Sequence, residues 1–322
     1  MKRKIFTFVK TFFSGHFITI VLSMSLKKYT VNMHFIRCCN YHCKFCFHRG
    51  IEDDETLSLN QWHYIIDNIA RTTSVKRINF AGGEPFMAAN YTKDLIHYAK
   101  SRGLQTSVIT NSALFTNKLF DQVKNDLDMI GISVDSGDDS INFLIGRNSR
   151  FSDKLDSHLN HVRRVAALCK ANNKYLKLNT VICRENLHDD SIFSLMNELQ
   201  PDRWKVFRVL KIENENGVDK DEREPYTGFL TDQEWDDWKL RCKEKCDIEP
   251  VYENNDDMLT SYLLVDEKGY ILDSSSGSKE RKYSLLENEL SDIIDDVGFS
   301  SEKFLKRGGL FEITKEIEDM AA

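Results

Sequence analysis

The sequence predicts an α/β fold: a TIM-like partial (β/α)6 barrel over residues 30–212, followed by an α+β extension over residues 213–322. Three observations carry this. From residue 30 onward, stretches patterned as strands alternate with stretches patterned as helices, six times over. Strands linked through helices run parallel and curl into a sheet of one hand. The stretch densest in metal-binding side chains, Cys39-Asn40-Tyr41-His42-Cys43-Lys44-Phe45-Cys46, follows the first strand directly, at the C-terminal end where barrels keep their chemistry.

The first strand is Val31-Asn32-Met33-His34-Phe35-Ile36-Arg37, a mixture of β-branched, aromatic and polar residues. An amphipathic run from Leu59 to Ile69 leads to the strand Lys76–Phe80, and a helix over Tyr91–Ser101 leads to the strand Gln105–Thr110. Leu119–Val123 falls on a helix before a strand at Met129–Val134. His158–Ala171 carries a long helical pattern before the strand Tyr175–Ile182. A helix over Ile192–Leu199 and a strand over Arg203–Leu210 complete the six units, and beyond residue 212 the alternation stops.

In the extension, Glu213–Glu224 is an acidic, polar loop and Asp232–Cys242 is a helix. Ser261–Asp266 and Tyr270–Leu272 flank a Lys268-Gly269 turn, the pattern of a hairpin. Ser274–Lys282 is small and polar, which predicts a mobile segment. Lys303–Gly309 is basic and glycine-bearing with little hydrophobic periodicity.

A chain of 322 residues can bury one large core. Its net charge of −6 argues against a general nucleic-acid surface, so an anionic ligand must be held by local lysines and arginines. Four of the eight cysteines (Cys38, Cys39, Cys43, Cys46) cluster, and Cys169, Cys183, Cys242 and Cys246 are scattered. That usage predicts metal binding in a reducing, cytoplasmic compartment rather than a disulfide framework, with Cys242 and Cys246 structural. Residues 1–29 begin basic and then run apolar from Ile5 to Met24, broken by Lys10, Ser14, Gly15 and His16. A signal peptide is discounted, because export would carry an oxygen-sensitive metal site out of the cell; an imperfect membrane span, an interfacial segment and a translation start at Met24 stay open, and the segment is expected to lie outside the catalytic fold.

The three cysteines Cys39, Cys43 and Cys46 have the spacing Cys-x3-Cys-x2-Cys, with an aromatic residue, Phe45, before the last. A cubane iron–sulfur cluster takes four cysteines and structural zinc takes four Cys or His ligands, so three thiolates leave one iron open. The alternatives are a zinc site completed by His42, His48 or Cys38, or merely buried thiols. Ala81-Gly82-Gly83-Glu84-Pro85 closes the second strand: glycines permit close backbone approach, and the carboxylate can take an ammonium group. On the fifth strand Lys177 and Asn179 alternate with Leu176 and Leu178, so both polar side chains share one face, toward the barrel interior if the leucines face the helices. An interior lysine is costly without an anion. Lys205 on the next strand can reach the same pocket, and Arg307 beside Gly308-Gly309 offers a guanidinium suited to phosphate.

The cysteine and Gly-Gly-Glu-Pro motifs together resemble the radical S-adenosylmethionine (SAM) enzymes. Further stretches narrow this to a resemblance to the viperin family of nucleotide synthases. They are Asn32-Met33-His34-Phe35, Ile132-Ser133-Val134-Asp135-Ser136, Leu144-Ile145-Gly146-Arg147, Arg203-Trp204-Lys205-Val206-Phe207, Asp257 to Asp266, and Phe304-Leu305-Lys306-Arg307-Gly308-Gly309. The resemblance runs in order from residue 31 to about residue 310 and implies a 4Fe-4S cluster on Cys39, Cys43 and Cys46. It implies SAM held by Phe45, Gly82, Gly83, Glu84, Ser133 and Arg147. It further implies a ribonucleoside triphosphate, CTP by default with UTP or GTP as alternatives, held by Asn32, Lys177, Asn179, Lys205 and Arg307, with Tyr262 as a catalytic hydrogen or proton donor. The implied reaction removes the 4′ hydrogen and loses the 3′ hydroxyl as water, giving a 3′-deoxy-3′,4′-didehydro nucleotide, an antiviral chain terminator. The implied partners are an electron donor of the flavodoxin or ferredoxin type and no nucleic acid, for a monomer; membrane contact of the first segment stays open. The short amino terminus suggests a prokaryotic member.

The amino-terminal segment does not match the family's longer membrane-associating helix, and the chain departs from the family in three further places. Thr110-Asn111-Ser112-Ala113 stands for Ser-Asn-Gly-Ser, so Ser112 occupies a glycine position; Lys44 replaces a glycine of animal members; and Cys38 adds a thiol. Rival readings are a cyclic-nucleotide precursor synthase or peptide maturase, whose usual second cysteine cluster this chain lacks, and a non-catalytic zinc or interaction module.

Overall fold

The computed structural model describes residues 28–48, 56–149, 151, 157–218 and 223–313. The six predicted units appear as β1 (Tyr29–Ile36), α1 (Leu59–Arg71), β2 (Val75–Gly82), α2 (Ala89–Ser101), β3 (Gln105–Thr110), α3 (Asn117–Val123), β4 (Met129–Ser133), α4 (Asp139–Ile145), α5 (His158–Ala171), β5 (Tyr175–Ile182), α6 (Ser191–Leu199) and β6 (Arg203–Arg208), of which the short helix α4 is an addition to the expected elements. The extension adds α7 (Asp232–Lys245), β7 (Val251–Glu253), α8 (Asn255–Met258), β8 (Leu263–Val265), β9 (Tyr270–Asp273), β10 (Glu280–Ser284), α9 (Leu290–Ile293) and α10 (Ser301–Lys306).

One sheet runs in the order β10-β9-β8-β1-β2-β3-β4-β5-β6-β7. Strands β1 to β6 pair in parallel in chain order, and the extension flanks them: β7 joins β6 and β8 joins β1, both in parallel. The parallel run is therefore eight strands rather than six. A strand of three residues such as β7 is too short to show a period, which is why the alternation looks finished at residue 212. The predicted hairpin forms as β8 and β9. Ser274–Lys282, expected to be mobile, instead carries into β10, whose exposed Glu280, Arg281 and Lys282 give the sheet a charged edge.

On β1, Val31, Met33 and Phe35 join the hydrophobic core with Trp62, Ile65 and Ile69 of α1, while Asn32 and His34 turn to the barrel interior. Leu176 and Leu178 are buried in that core too, so Lys177 and Asn179 face inward as expected. Helix α7 seats Trp238 against Trp204 of β6 in an edge-on contact, carrying the chain back to form β7. Cys242 is buried on that helix and the Cys246 thiol donates to Asn197 Oδ1 at 3.3 Å, so both serve packing. None of the eight cysteines forms a disulfide. Among the described residues no helix is long and apolar enough to cross a membrane; the first segment lies outside them.

Candidate active site

One cavity opens at the C-terminal ends of the strands, and Cys39, Cys43 and Cys46 all line it. Two segments position their loop. Residues 145–149, following α4, pair with it through Lys44 N to Ile145 O (2.9 Å), His42 N to Gly146 O (3.3 Å) and a bridge between Tyr41 and Ser149. Gly146 has φ of +92°, and a Cβ there would stand 2.7 Å from His42 O, so the approach requires glycine. From the other side Asn216 donates to Phe45 O (2.9 Å) and Arg223 to Cys43 O (3.1 Å), so the polar loop after residue 212 is the outer support of the cysteine loop.

The glycines of the Gly-Gly-Glu-Pro motif answer first to protein backbone. Gly83 N donates to Ile36 O and Glu84 N to Cys38 O, and a Cβ on Gly83 would lie 2.0 Å from Cys38 O. This packing aims Glu84 into the cavity, where its carboxylate accepts from Thr110 Oγ1 (2.8 Å), Asn111 N (2.7 Å) and Phe86 N (3.1 Å). All three donors are neutral, and burial pushes the Glu84 carboxyl up to about 7. Ser112, at the family's glycine position, is held at φ of +72° with its carbonyl taking Arg164 Nη2 at 3.1 Å.

Ser133 ends β4 on the cavity wall, and its carbonyl accepts from His158 Nε2 at 3.0 Å. Arg147 also lines the cavity, ion-paired with Asp135, which is wholly buried and accepts Val181 N at 2.8 Å. Against burial, which alone would lower it, Asp135 and the neighbouring Cys43 hold the Arg147 guanidinium charged.

At the other end, Lys177, Asn179 and Tyr262 line the cavity. Burial, aided by Lys205 and Arg203, lowers Lys177 well below the usual lysine range. Asn32 is tied by Asn79 Nδ2 (2.9 Å), itself part of a chain to Ser107 Oγ (2.8 Å) across β1, β2 and β3. Lys205 and Arg307 do not line the cavity. Both pair with Glu253, a wholly buried carboxylate on β7 that also accepts the Tyr262 hydroxyl at 2.5 Å. The guanidinium carbons of Arg77 and Arg203 stand 4.5 and 4.2 Å from the centre of the Phe311 ring, and neither Nε has a hydrogen-bond partner. The end of the described chain thus covers a buried group of cations.

The sequence reading missed Glu253, Asp135, Asn79 and the Arg77–Phe311–Arg203 stack. It missed His34 too, which lines the cavity with an unpartnered Nδ1. Asp135 and His34 lie inside stretches already matched, but nothing local marks them as functional. The structure unites the three cysteines, Phe45, Gly82, Gly83, Glu84, Ser133, Arg147, Asn32, Lys177, Asn179 and Tyr262 on one cavity.

The donor set fits an iron–sulfur cluster better than zinc. Among the described residues no three His, Cys, Asp or Glu side chains are disposed around one ion, as zinc requires, whereas a cubane spreads its ligands over separate irons. His42, His48 and Cys38 do not line the cavity; His48 faces Ile36 O at 3.2 Å. Asn111 Nδ2 approaches Cys39 Sγ at 3.9 Å and Tyr41 N approaches it at 3.4 Å, donors of the kind that stabilise a ligating sulfur. Burial pushes Cys43 up to about 11, so a bound metal must supply the charge that makes it a thiolate.

The profile of the radical SAM superfamily matches residues 33–192. A protein of Oncorhynchus mykiss named S-adenosylmethionine-dependent nucleotide dehydratase is 32% identical over 301 residues, 92% of this chain and 84% of its own. Proteins with that description from Danio rerio (33% identity; 89% of this chain, 78% of theirs) and the bacterium Pseudoalteromonas ulvae (31%; 88% and 94%) are similar too. In fold the chain is similar to Streptococcus suis SuiB bound to S-adenosylmethionine (TM-score 0.61, 14% identity, 86% of this chain and 67% of that one). It is also similar to native anSMEcpe with bound AdoMet (TM-score 0.63, 13%, 86% and 82%).

Proposed function

Since the chain belongs to the S-adenosylmethionine-dependent nucleotide dehydratases of the radical SAM superfamily, the viperins, we propose that it converts a ribonucleoside triphosphate into its 3′-deoxy-3′,4′-didehydro analogue. CTP is the default substrate and the product serves as an antiviral chain terminator. The observation that supports this best is the polarity of the cavity. Three thiols and a carboxylate without a cationic donor stand at one end, and Lys177, backed by a buried group of cations, stands at the other.

When bound, the cluster and SAM supply one-electron cleavage of SAM and a species able to take a hydrogen atom, with the electron coming from a flavodoxin- or ferredoxin-type protein. Cys39, Cys43 and Cys46 hold the irons. Glu84, destabilised as a carboxylate by burial, regains a counter-charge from the SAM ammonium group. Arg147 takes the SAM carboxylate with Asp135 keeping it oriented, and Ser133 meets the SAM ribose. Lys177 and Asn179 take the nucleotide from the opposite wall, Asn32 contacts its ribose, and Lys205 and Arg307 serve the polyphosphate from behind Tyr262.

The direct test is anaerobic incubation of the iron-reconstituted protein with SAM, reductant and each nucleoside triphosphate, reading 5′-deoxyadenosine and dehydrated nucleotide by mass spectrometry. A 5′-deoxyadenosine yield indifferent to every nucleotide would overturn the reading. In calorimetry, Lys177→Ala is expected to weaken nucleotide binding by about 10–100-fold, the worth of a charged hydrogen bond, and to leave SAM binding nearly intact. Equal loss of both would refute the assignment.

Binding should also depend on pH. Burial, opposed by Glu253 and reinforced by Arg307, lowers Lys205 from 10.5 to about 7, and Lys177 is lowered too. A polyanion restores their ammonium forms, so binding takes up protons. Affinity should therefore weaken as pH rises through about 7, by up to roughly tenfold per pH unit for each lysine. Titrations at several pH values in two buffers of different ionisation enthalpy check the sign; proton release would contradict it.

A further inference from the structure

The eight parallel strands form an open barrel whose two edges are β7 and β8. These strands are not paired with each other, yet residues 254–262 carry the chain directly from one to the other. Side chains span the seam instead. Glu253 on β7 accepts the hydroxyl of Tyr262, which leads into β8, and pairs with Lys205 of β6 and with Arg307 (3.0 Å), which follows α10. Arg307 also donates to Ser261 O at 2.8 Å from Nη2 and 3.1 Å from Nε. Lys205 Nζ donates to the same Tyr262 hydroxyl at 3.0 Å, and the Arg307 guanidinium carbon stands 3.8 Å from the centre of the Tyr262 ring.

A seam that only had to close would not need this acid. Buried ion pairs are roughly neutral for stability against apolar side chains of the same shape, because desolvation offsets their attraction. This one gathers three residues that the Proposed function puts around the nucleotide, and of the three only Tyr262 lines the cavity.

We infer that Glu253 is a positioning residue: it fixes the direction of the Tyr262 O–H and holds Lys205 and Arg307 behind it, so that the reacting nucleotide meets a phenol of one orientation. The hydroxyl has one proton, which it donates to Glu253, and its oxygen accepts from Lys205. Two cations hold Glu253 ionised against its burial, and burial together with Glu253 raises the Tyr262 phenol well above the usual tyrosine range, so it keeps its proton. The Glu253 carboxylate offsets part of the positive charge that Lys205 and Arg307 would otherwise offer a polyphosphate, so it serves orientation at some cost to affinity.

The inference rests on the dehydratase reading, and the experiment separates the two. Glu253→Gln keeps the shape and removes the charge. Nucleotide-dependent turnover is expected to fall about tenfold or more, while nucleotide affinity, measured calorimetrically without reductant, stays within about twofold or tightens. In a Tyr262→Phe background the same change should cost less turnover than in the parent, because the hydroxyl that Glu253 directs is gone and only its hold on Lys205 and Arg307 is left to lose. Glu253→Asp, which keeps the charge on a shorter arm, should recover part of the turnover. Unchanged turnover, losses that add in the double variant, or a weakening of binding that accounts for the whole loss would each overturn the inference. If the parent protein shows no nucleotide-dependent turnover, the dehydratase reading fails first and the inference falls with it.

Discussion

Cys43→Ser should leave the purified protein with almost no iron, against about four per chain in the parent, and with no detectable SAM cleavage. The physical reason is the acidity of the ligand. Burial raises the Cys43 thiol to about 11, and bound metal would supply the charge that favours its thiolate; a serine hydroxyl is a far weaker acid and a poorer ligand. Neighbouring thiols cannot substitute. Cys38 is adjacent to Cys39 in sequence, but it does not line the cavity. Cys38→Ser is therefore expected to retain the parent's iron and sulfide. Anaerobic iron and sulfide analysis of both variants checks the pair, and a Cys43 variant with full iron would mean that the centre is built on other ligands.

Arg147→Met should destabilise the fold by about 3–5 kcal/mol, the cost of stranding one partner of a buried ion pair. Asp135 is wholly buried, and without Arg147 its remaining named support is Val181 N. The loss reaches the cysteine loop, because residues 145–149 that carry Arg147 are paired to it. Chemical denaturation of the apoprotein measures the effect without any cofactor. The double variant Asp135→Asn, Arg147→Met should recover part of the stability, since no charge is then left unpaired. A single variant within 1 kcal/mol of the parent, a margin roughly that of a surface pair, would show that solvent reaches Asp135.

How much of this was legible beforehand follows from the distance over which each feature is encoded. Strands β3 and β5 and helix α5 end where their periodicity ends, because a strand or helix with one buried face writes its period into consecutive residues. The cluster loop was legible because metal geometry forces ligands into a short spacing. Ser112, which the resemblance puts at a glycine position, has a φ of +72°, a backbone conformation that glycine adopts without strain. The edge strands β7 and β10 were not legible: three to five residues with a charged or mixed pattern show no period.

The glycine pair shows a subtler limit. Close approach was predicted from Gly82-Gly83, but toward a ligand; the crowding atoms are the carbonyls of Ile36, Arg37 and Cys38. Sequence can reveal that space is scarce without revealing what fills it.

The chain's residues alone determined the order of its six strand-and-helix units, the inward face of Lys177 and Asn179, the three-thiol spacing and the kinship that names its chemistry. Only the tertiary structure decided which carboxylates answer which cations: Asp135 for Arg147, and Glu253 for Lys205 and Arg307. Those pairings join residues brought together by curvature of the sheet and by near-closure of its two edges. A buried acid has no sequence signature of its own, because what makes it tolerable is a counter-charge supplied from a distant strand.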